Sequence, residues 1–330
     1  MSNALERPLD AFEMLWLIFH DAGCFRIFCM CATVRGRLED DQLEGAVKSV
    51  IKHNPNLQLG FRRENVSWVR IPMKTLELPI VRLASGGESL EEVLAREVVT
   101  GFETTESRPL FRVTVRTQQE AFADQQAARH DLVASFSHSV ADGTTCLLFM
   151  KQLLAALTGQ TLQNRSDTAL HKGTFSYMTD RPRLCGCGLV SWIHTLFSQS
   201  WPLKSCYWIL PGSAPKFGTT LSARACHHMF AEVDAGTMDQ LLTMARARRT
   251  TIHGVLISAA AFALTATVAK QEAETKGGAF KFVQETPINL RPRYGIPHDL
   301  MGPFVTSYKS PVPVKPETRF WDQAISSKSD

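Results

Sequence analysis

No pair of cysteines in this 330-residue chain has the C-x-x-C spacing, and no cluster of histidines supplies the other half of a zinc site. A structural zinc centre is therefore not expected. Cys24, Cys29, Cys31, Cys146, Cys185, Cys187, Cys206 and Cys226 are the cysteines, and the C-x-C of Cys185-Gly186-Cys187 in a glycine-rich turn is their nearest approach to a motif. A Gly-x-Ser-x-Gly elbow is missing, which removes the usual signature of a serine hydrolase. Long apolar runs are missing as well: the segment Phe12 to Phe19 is far too short to span a bilayer. The N-terminus has no basic stretch leading into an uninterrupted apolar core, so no signal peptide is read. Reduced thiols in a cytoplasmic protein are the expectation. Excess charge is small, net +4 at pH 7, and Arg246-Ala247-Arg248-Arg249 is the one dense basic run. Arginines at a helix end complement its dipole, so no nucleic-acid partner is expected. No short-period repeat is visible.

What is present describes a globular chain, with 44% hydrophobic and 21% charged residues, long enough for two cores. Cys24 to Val34 reads as a strand. Asp40 or Asp41 opens a helix whose buried stripe is Leu43, Ala46, Val47, Val50 and Ile51, ended by His53-Asn54-Pro55. Leu57–Phe61 and Val66–Ile71 form a hairpin turning at Glu64-Asn65. Ser89-Leu90-Glu91-Glu92 is a capping box that opens a helix to about Thr100. Leu110–Arg116 alternates as a half-buried strand, and Gln118–Arg129 is an exposed loop or short helix. Residues 159–182 are polar and irregular. Residues 183–212 carry Trp192, Phe197, Trp201, Tyr207 and Trp208. They read as a crossover packed on the body, with a surface for lipid or a long-chain substrate as the alternative. Leu221–Val233 resumes strand character, and Gly236–Arg249 is a helix. An alanine-rich helix, capped near Thr251-Ile252-His253, runs to about Ala269 and suits close packing. Phe280–Leu290 and Met301–Tyr308 are strands. Two mixed α/β lobes fit best, divided as 1–170, a crossover over 171–215, and 216–330.

One stretch organises the rest: Ser135-Phe136-Ser137-His138-Ser139-Val140-Ala141-Asp142-Gly143-Thr144-Thr145. Before it, Asp131–Phe136 reads as a buried strand. After it, Cys146, Leu147, Met150, Leu153, Leu154 and Leu157 mark a helical face that Gly159 ends. His138 thus leaves the end of a rigid strand, and Asp142 can cap the helix that follows.

Four stretches together resemble the chloramphenicol-acetyltransferase-like superfamily, which includes condensation domains of nonribosomal peptide synthetases, alcohol acetyltransferases and BAHD acyltransferases. Ser137-His138-Ser139-Val140-Ala141-Asp142-Gly143 is similar to the His-His-x-x-x-Asp-Gly signature, with Ser137 at the place of its first histidine. His53-Asn54-Pro55-Asn56-Leu57 is similar to the His-Pro-x-Leu-Arg ending of the first-lobe helix. Thr286-Pro287-Ile288-Asn289-Leu290-Arg291 resembles the "vnlR" strand, and Met301-Gly302-Pro303-Phe304-Val305-Thr306 the Ile-Gly-x-Phe-Val-Asn-Thr motif. Family members usually continue further. Here the chain stops soon after Phe320-Trp321-Asp322, with no Asp-Phe-Gly-Trp-Gly segment, so an incomplete second lobe is expected.

The resemblance implies an acyltransferase that moves an acyl group from a CoA or carrier-protein thioester to an alcohol or amine, at a site between the lobes. His138 would be the general base, a role histidine fits near neutral pH. Asp142 would be structural, paired with Arg291, with Arg293 as the fallback partner. Gly143 allows close backbone approach, and the amides after it would orient the loop or face developing negative charge. Ser137 and Ser139 read as hydrogen-bonding loop residues. No metal or resident cofactor is expected; acyl-CoA or a phosphopantetheine thioester is the co-substrate. Partners would be an acyl carrier protein, a small alcohol or amine, and a lipid surface touched peripherally through 183–212. The alternative is a non-catalytic condensation-domain-like module that binds a carrier protein or acyl ligand.

Overall fold

The structure, a computed structural model, describes residues 6–21, 27–65, 67–73, 76–84, 87–118, 128–162, 173–179, 228–272, 280–314 and 317–327. In chain order its strands are β1 (Arg7–Pro8), β2 (Ile27–Arg35), β3 (Leu59–Glu64), β4 (Ser67–Pro72), β5 (Ile80–Arg82), β6 (Phe111–Gln118), β7 (Arg129–Ser137), β8 (Phe280–Asn289) and β9 (Val305–Val314). Its helices are α1 (Ala11–Asp21), α2 (Asp40–His53), α3 (Leu90–Val99), α4 (Gly143–Leu157), α5 (Thr174–Thr179), α6 (Ala235–Ala247), α7 (Ile252–Glu272), α8 (Arg291–Tyr294) and α9 (Phe320–Ser326), with a 3₁₀ turn at Pro55–Gln58. Contacts divide this mixed α/β chain into two compact units. The first is Met1–Leu189, Phe217–Met229 and Asn289–Val305; the second is Val190–Lys216, Phe230–Ile288 and Thr306–Asp330.

In the first unit β7 lies inside a four-stranded sheet of order β2-β7-β6-β5. β7 is antiparallel to β2 and β6, while β5 is parallel to β6. Successive side chains of a strand point to opposite faces, and β7 uses both. Leu132, Ala134 and Phe136 join the core that holds α2 and α4, whereas Val133 packs with Val93 and Leu94 of α3. Helices therefore cover both faces, which is why β7 reads as an unbroken apolar run. The α3 side carries a polar seam centred on buried Glu97, which accepts from Thr114 Oγ1 and Ser135 Oγ at 2.8 Å each. Arg112 Nε donates to the same carboxylate.

Local signals set most of these elements. The stripe Leu43, Ala46, Val47, Val50 and Ile51 of α2 is buried, and each of its larger side chains contributes about 1.5–3 kcal/mol of transfer free energy. Pro55 stops the helix and opens the 3₁₀ turn. The hairpin pairs Glu64 with Ser67, and Asn65 takes a left-handed φ of 54° at its turn. Ser89 and Glu92 form a reciprocal capping box. Asp10 and Glu13 do the same at α1: Glu13 N donates to Asp10 Oδ1 at 2.8 Å, and Asp10 N to Glu13 Oε2 at 3.1 Å. The smaller sheet, β1-β4-β3, carries Arg70. Arg7 and Arg70 both bond to the buried Glu13. Burial pushes the Glu13 carboxyl up, and the Arg70 and Arg7 guanidiniums more than offset this, holding it below the usual carboxylate range.

Several expectations need correction. Leu147 is not on the buried face of α4: it is 51% exposed, and Thr145, Cys146, Phe149, Met150 and Leu153 fill that face. The strand expected over Met301–Tyr308 begins at Val305 instead, because the chain before it is tied by side chains rather than by a ladder. Of Leu221–Val233 only residues 228–233 are described, and they are not strand. The stretches 163–172 and 180–227, with Cys185, Cys187, Cys206, Cys226 and the aromatic segment 183–212, lie outside the described residues, as does Cys24.

In the second unit α7 packs against α9, and Thr250 Oγ1 donates to Ala324 O at 2.5 Å. Asp234 caps α6 by accepting from Thr237 N at 2.9 Å. β8 and β9 form a two-stranded sheet. The close packing expected of the alanine-rich helix holds on one side only. Val255, Ser258 and Ala261 are buried, while Leu256 and Leu264 are exposed. Among the described residues, no single helix is long and apolar enough to cross a membrane.

Candidate active site

β7 ends at Ser137 and α4 begins at Gly143, so His138 stands in the turn that joins them. The register sets Phe136 opposite Phe28 and Ser137 opposite Ile27, which puts this turn beside the first residues of β2. The half-buried imidazole stacks on Trp16 of α1, with ring centroids 5.1 Å apart and planes at 28°. Phe28 lies against it at 4.5 Å and 37°. Two aromatic neighbours from different elements fix the plane of the ring. Ser137 and Ser139, both buried, share a hydrogen bond of 2.9 Å between hydroxyls, which makes them turn-forming residues.

Asp142 caps α4, and its carboxylate accepts from four donors. Thr145 N at 2.7 Å and Arg291 Nη2 at 3.1 Å reach Oδ1. Arg291 Nη1 at 2.5 Å and Phe304 N at 3.0 Å reach Oδ2. Both oxygens are thus committed to Thr145, Arg291 and Phe304, which ties the loop before α4 to those residues. Arg291, 1% exposed, also donates from Nε and Nη2 to Leu300 O at 3.1 and 2.8 Å, and its guanidinium lies 4.9 Å from the Phe304 ring centroid. Arg293, the fallback partner, is exposed.

The segment 300–304 is thereby fastened to the start of α4. Thr145 Oγ1 donates to Gly302 O and accepts from Gly302 N, each at 2.9 Å. Asn56 Nδ2 holds Met301 O at 2.6 Å, and Thr174 Oγ1 holds Pro303 O at 3.1 Å. These bonds satisfy buried backbone groups that would otherwise cost several kcal/mol.

Among the described residues, a Cβ at Gly143 would meet nothing within 4 Å. Sequence reasoning placed His138, Asp142, Gly143 and Arg291, and the structure brings Asp142 and Arg291 into contact. It missed Trp16, Phe28 and Thr145. The spacing Phe12, Trp16, Phe19 is a helical-face signal that would have flagged the first. Burial pushes the Cys31 thiol up to about 11 and that of Cys146 higher still, so neither of these two is activated as a thiolate. Among the described residues, no three His, Cys, Asp or Glu side chains gather as a metal site.

No protein-family model matches the chain. Tyrocidine synthase 3 from Brevibacillus parabrevis is 26% identical over 131 residues, which is 40% of this chain and 2% of that protein. The chain thus spans a small fraction of the curated relatives it matches. Among solved structures, the first condensation domain of the calcium-dependent antibiotic synthetase matches with a TM-score of 0.64 at 16% identity, covering 98% of this chain and 72% of that one. The X-domain from teicoplanin biosynthesis matches with a TM-score of 0.59 at 18% identity, covering 97% and 68%. The chain shares the fold of condensation domains.

Proposed function

We propose that this protein transfers an acyl or peptidyl group from a phosphopantetheine thioester on a carrier protein to an amine or alcohol, with His138 as the general base. The observation that carries this reading is the division of labour in the turn. The Asp142 carboxylate is engaged by Arg291, Thr145 and Phe304, while the partly buried imidazole of His138 lies between Trp16 and Phe28. The acceptor's N–H or O–H gives its proton to the imidazole as nitrogen or oxygen attacks the thioester carbonyl. A C–N or C–O bond forms, the C–S bond breaks, and the imidazolium returns the proton to the departing thiolate. An activated donor needs no acyl-enzyme. Synthetase relatives favour a carrier-borne donor over free acyl-CoA.

The test is thiol release from acyl-carrier protein and from acyl-CoA in the presence of amine and alcohol acceptors. His138→Ala is expected to lose about 10²–10⁴-fold in rate, and equal rates for the two proteins would remove the catalytic reading. A second reading is a binding module without turnover. It is favoured by the likeness to the teicoplanin X-domain, also solved in complex with OxyB, and by the Trp16 ring stacked on His138. In that case carrier binding persists while no thiol is released by either protein.

A further inference from the structure

A concavity of the first unit lies beside β5 and the start of β6. It has a volume of about 480 Å³, is walled by Leu78, Ile80, Phe102 and Phe111, and carries Glu77, Glu103, Arg108 and Arg112. Small-molecule sites run from about 300 to 1,000 Å³ and combine apolar walls with a few polar groups. The walls are structured from behind. Phe111 stacks on Phe136 at 5.3 Å, and Phe102 on His20 at 5.9 Å.

Its charges are unequal in availability. Arg112 is spent: it bonds to the Glu97 carboxylate and to Thr100 O at 2.8 Å, and its guanidinium lies 4.7 Å from the Phe102 ring centroid. Arg108 reaches both carboxylates, with Nε on Glu77 Oε2 at 3.0 Å and Nη1 on Glu103 Oε2 at 2.6 Å. All three of these side chains are at least half exposed, at 50%, 63% and 68%. Exposed pairs of this kind are worth little and exchange readily. Two carboxylates thus face one available guanidinium, and among the described residues the second oxygen of each has no hydrogen-bond partner. The surplus at the mouth is negative.

We propose that this cavity binds a small amphiphilic amine. The apolar body would lie between Leu78, Ile80, Phe102 and Phe111, and the ammonium would take Glu77 and Glu103 as Arg108 swings aside. The site does not depend on the acyl-transfer reading, and its test reads binding alone, so either can fail without the other.

The experiment is calorimetric titration of the full chain with three probes of one shape: 2-phenylethylamine, 3-phenylpropanamide and 3-phenylpropanoate. The amine is expected to bind most tightly and the carboxylate least, with amine affinity falling as salt rises. Glu77→Gln and Glu103→Gln should each weaken the amine by about two- to five-fold, while Arg108→Ala should strengthen it by removing the competing cation. Melting curves confirm that each variant is folded; should Arg108→Ala fail to fold, the Glu77→Gln/Glu103→Gln double variant decides alone. Tightest binding by 3-phenylpropanoate, an amine affinity unchanged in that double variant, or no heat from any probe at millimolar concentration overturns the proposal.

Discussion

Asp142→Ala isolates what the carboxylate at the head of α4 does. The substitution leaves Arg291, 1% exposed, without its counter-ion. Breaking a buried pair from one side typically costs about 3–5 kcal/mol. The helix also loses its cap from Thr145 N, worth about 0.5–2 kcal/mol, and Phe304 N loses its acceptor. These terms share one carboxylate and do not add fully, so a loss of about 4 kcal/mol is expected. Hydrogen exchange is the suitable assay because it reports the first unit locally. Amides of 143–147 and of Gly302, Phe304 and Val305 should exchange about 10³-fold faster, the factor that 4 kcal/mol implies. A double variant, Asp142→Leu with Arg291→Met, removes both charges and should recover part of the loss. If Asp142→Ala keeps wild-type protection while thiol release alone collapses, the carboxylate acts on the chemistry and the assignment of a structural role is refuted.

Acid should act through Glu13, and the sign follows from its neighbours. Its carboxyl is held below the ordinary range in the folded state, so its stabilisation is complete above about pH 4.3 and is lost as pH falls through the folded value. Glu13→Gln should melt lower than wild type at pH 7 yet show a shallower decline between pH 5 and 3. Parallel melting-temperature profiles would contradict this. Ser89→Ala removes the capping box of α3 and should cost about 1 kcal/mol, seen as faster exchange at residues 90–93 with the Glu97 seam unchanged. Loss of protection on β6 and β7 as well would show that the cap carries more than its helix.

Legibility in the sequence followed the range of the interaction. The stripe of α2, the stop at Pro55, the Ser89 capping box and the turn at Asn65 each depend on residues within a few positions of one another, and each was found where its pattern stood. The Asp142–Arg291 pair spans 149 positions, and only the resemblance to a known family proposed it. Where local reasoning was used alone over long range it failed. Leu147 fits a helical face by spacing, yet the face of α4 that is buried runs along Thr145, Cys146, Phe149 and Met150. Met301–Phe304 has strand-like composition, but Thr145, Asn56 and Asp142 claim its backbone groups.

The sequence by itself determined the periodic elements, their caps and breaks, and the placement of one histidine at a strand-to-helix turn, because those depend on neighbouring φ/ψ preferences and on apolar period. Only the tertiary structure decided that Trp16 and Phe28 hold that imidazole, that the Asp142 carboxylate is saturated by Arg291, Thr145 and Phe304, and that two glutamates and an arginine meet at the rim of a cavity. The physical reason is that these contacts join residues far apart in the chain, and their geometry exists only once the sheet register and helix packing have brought the elements together.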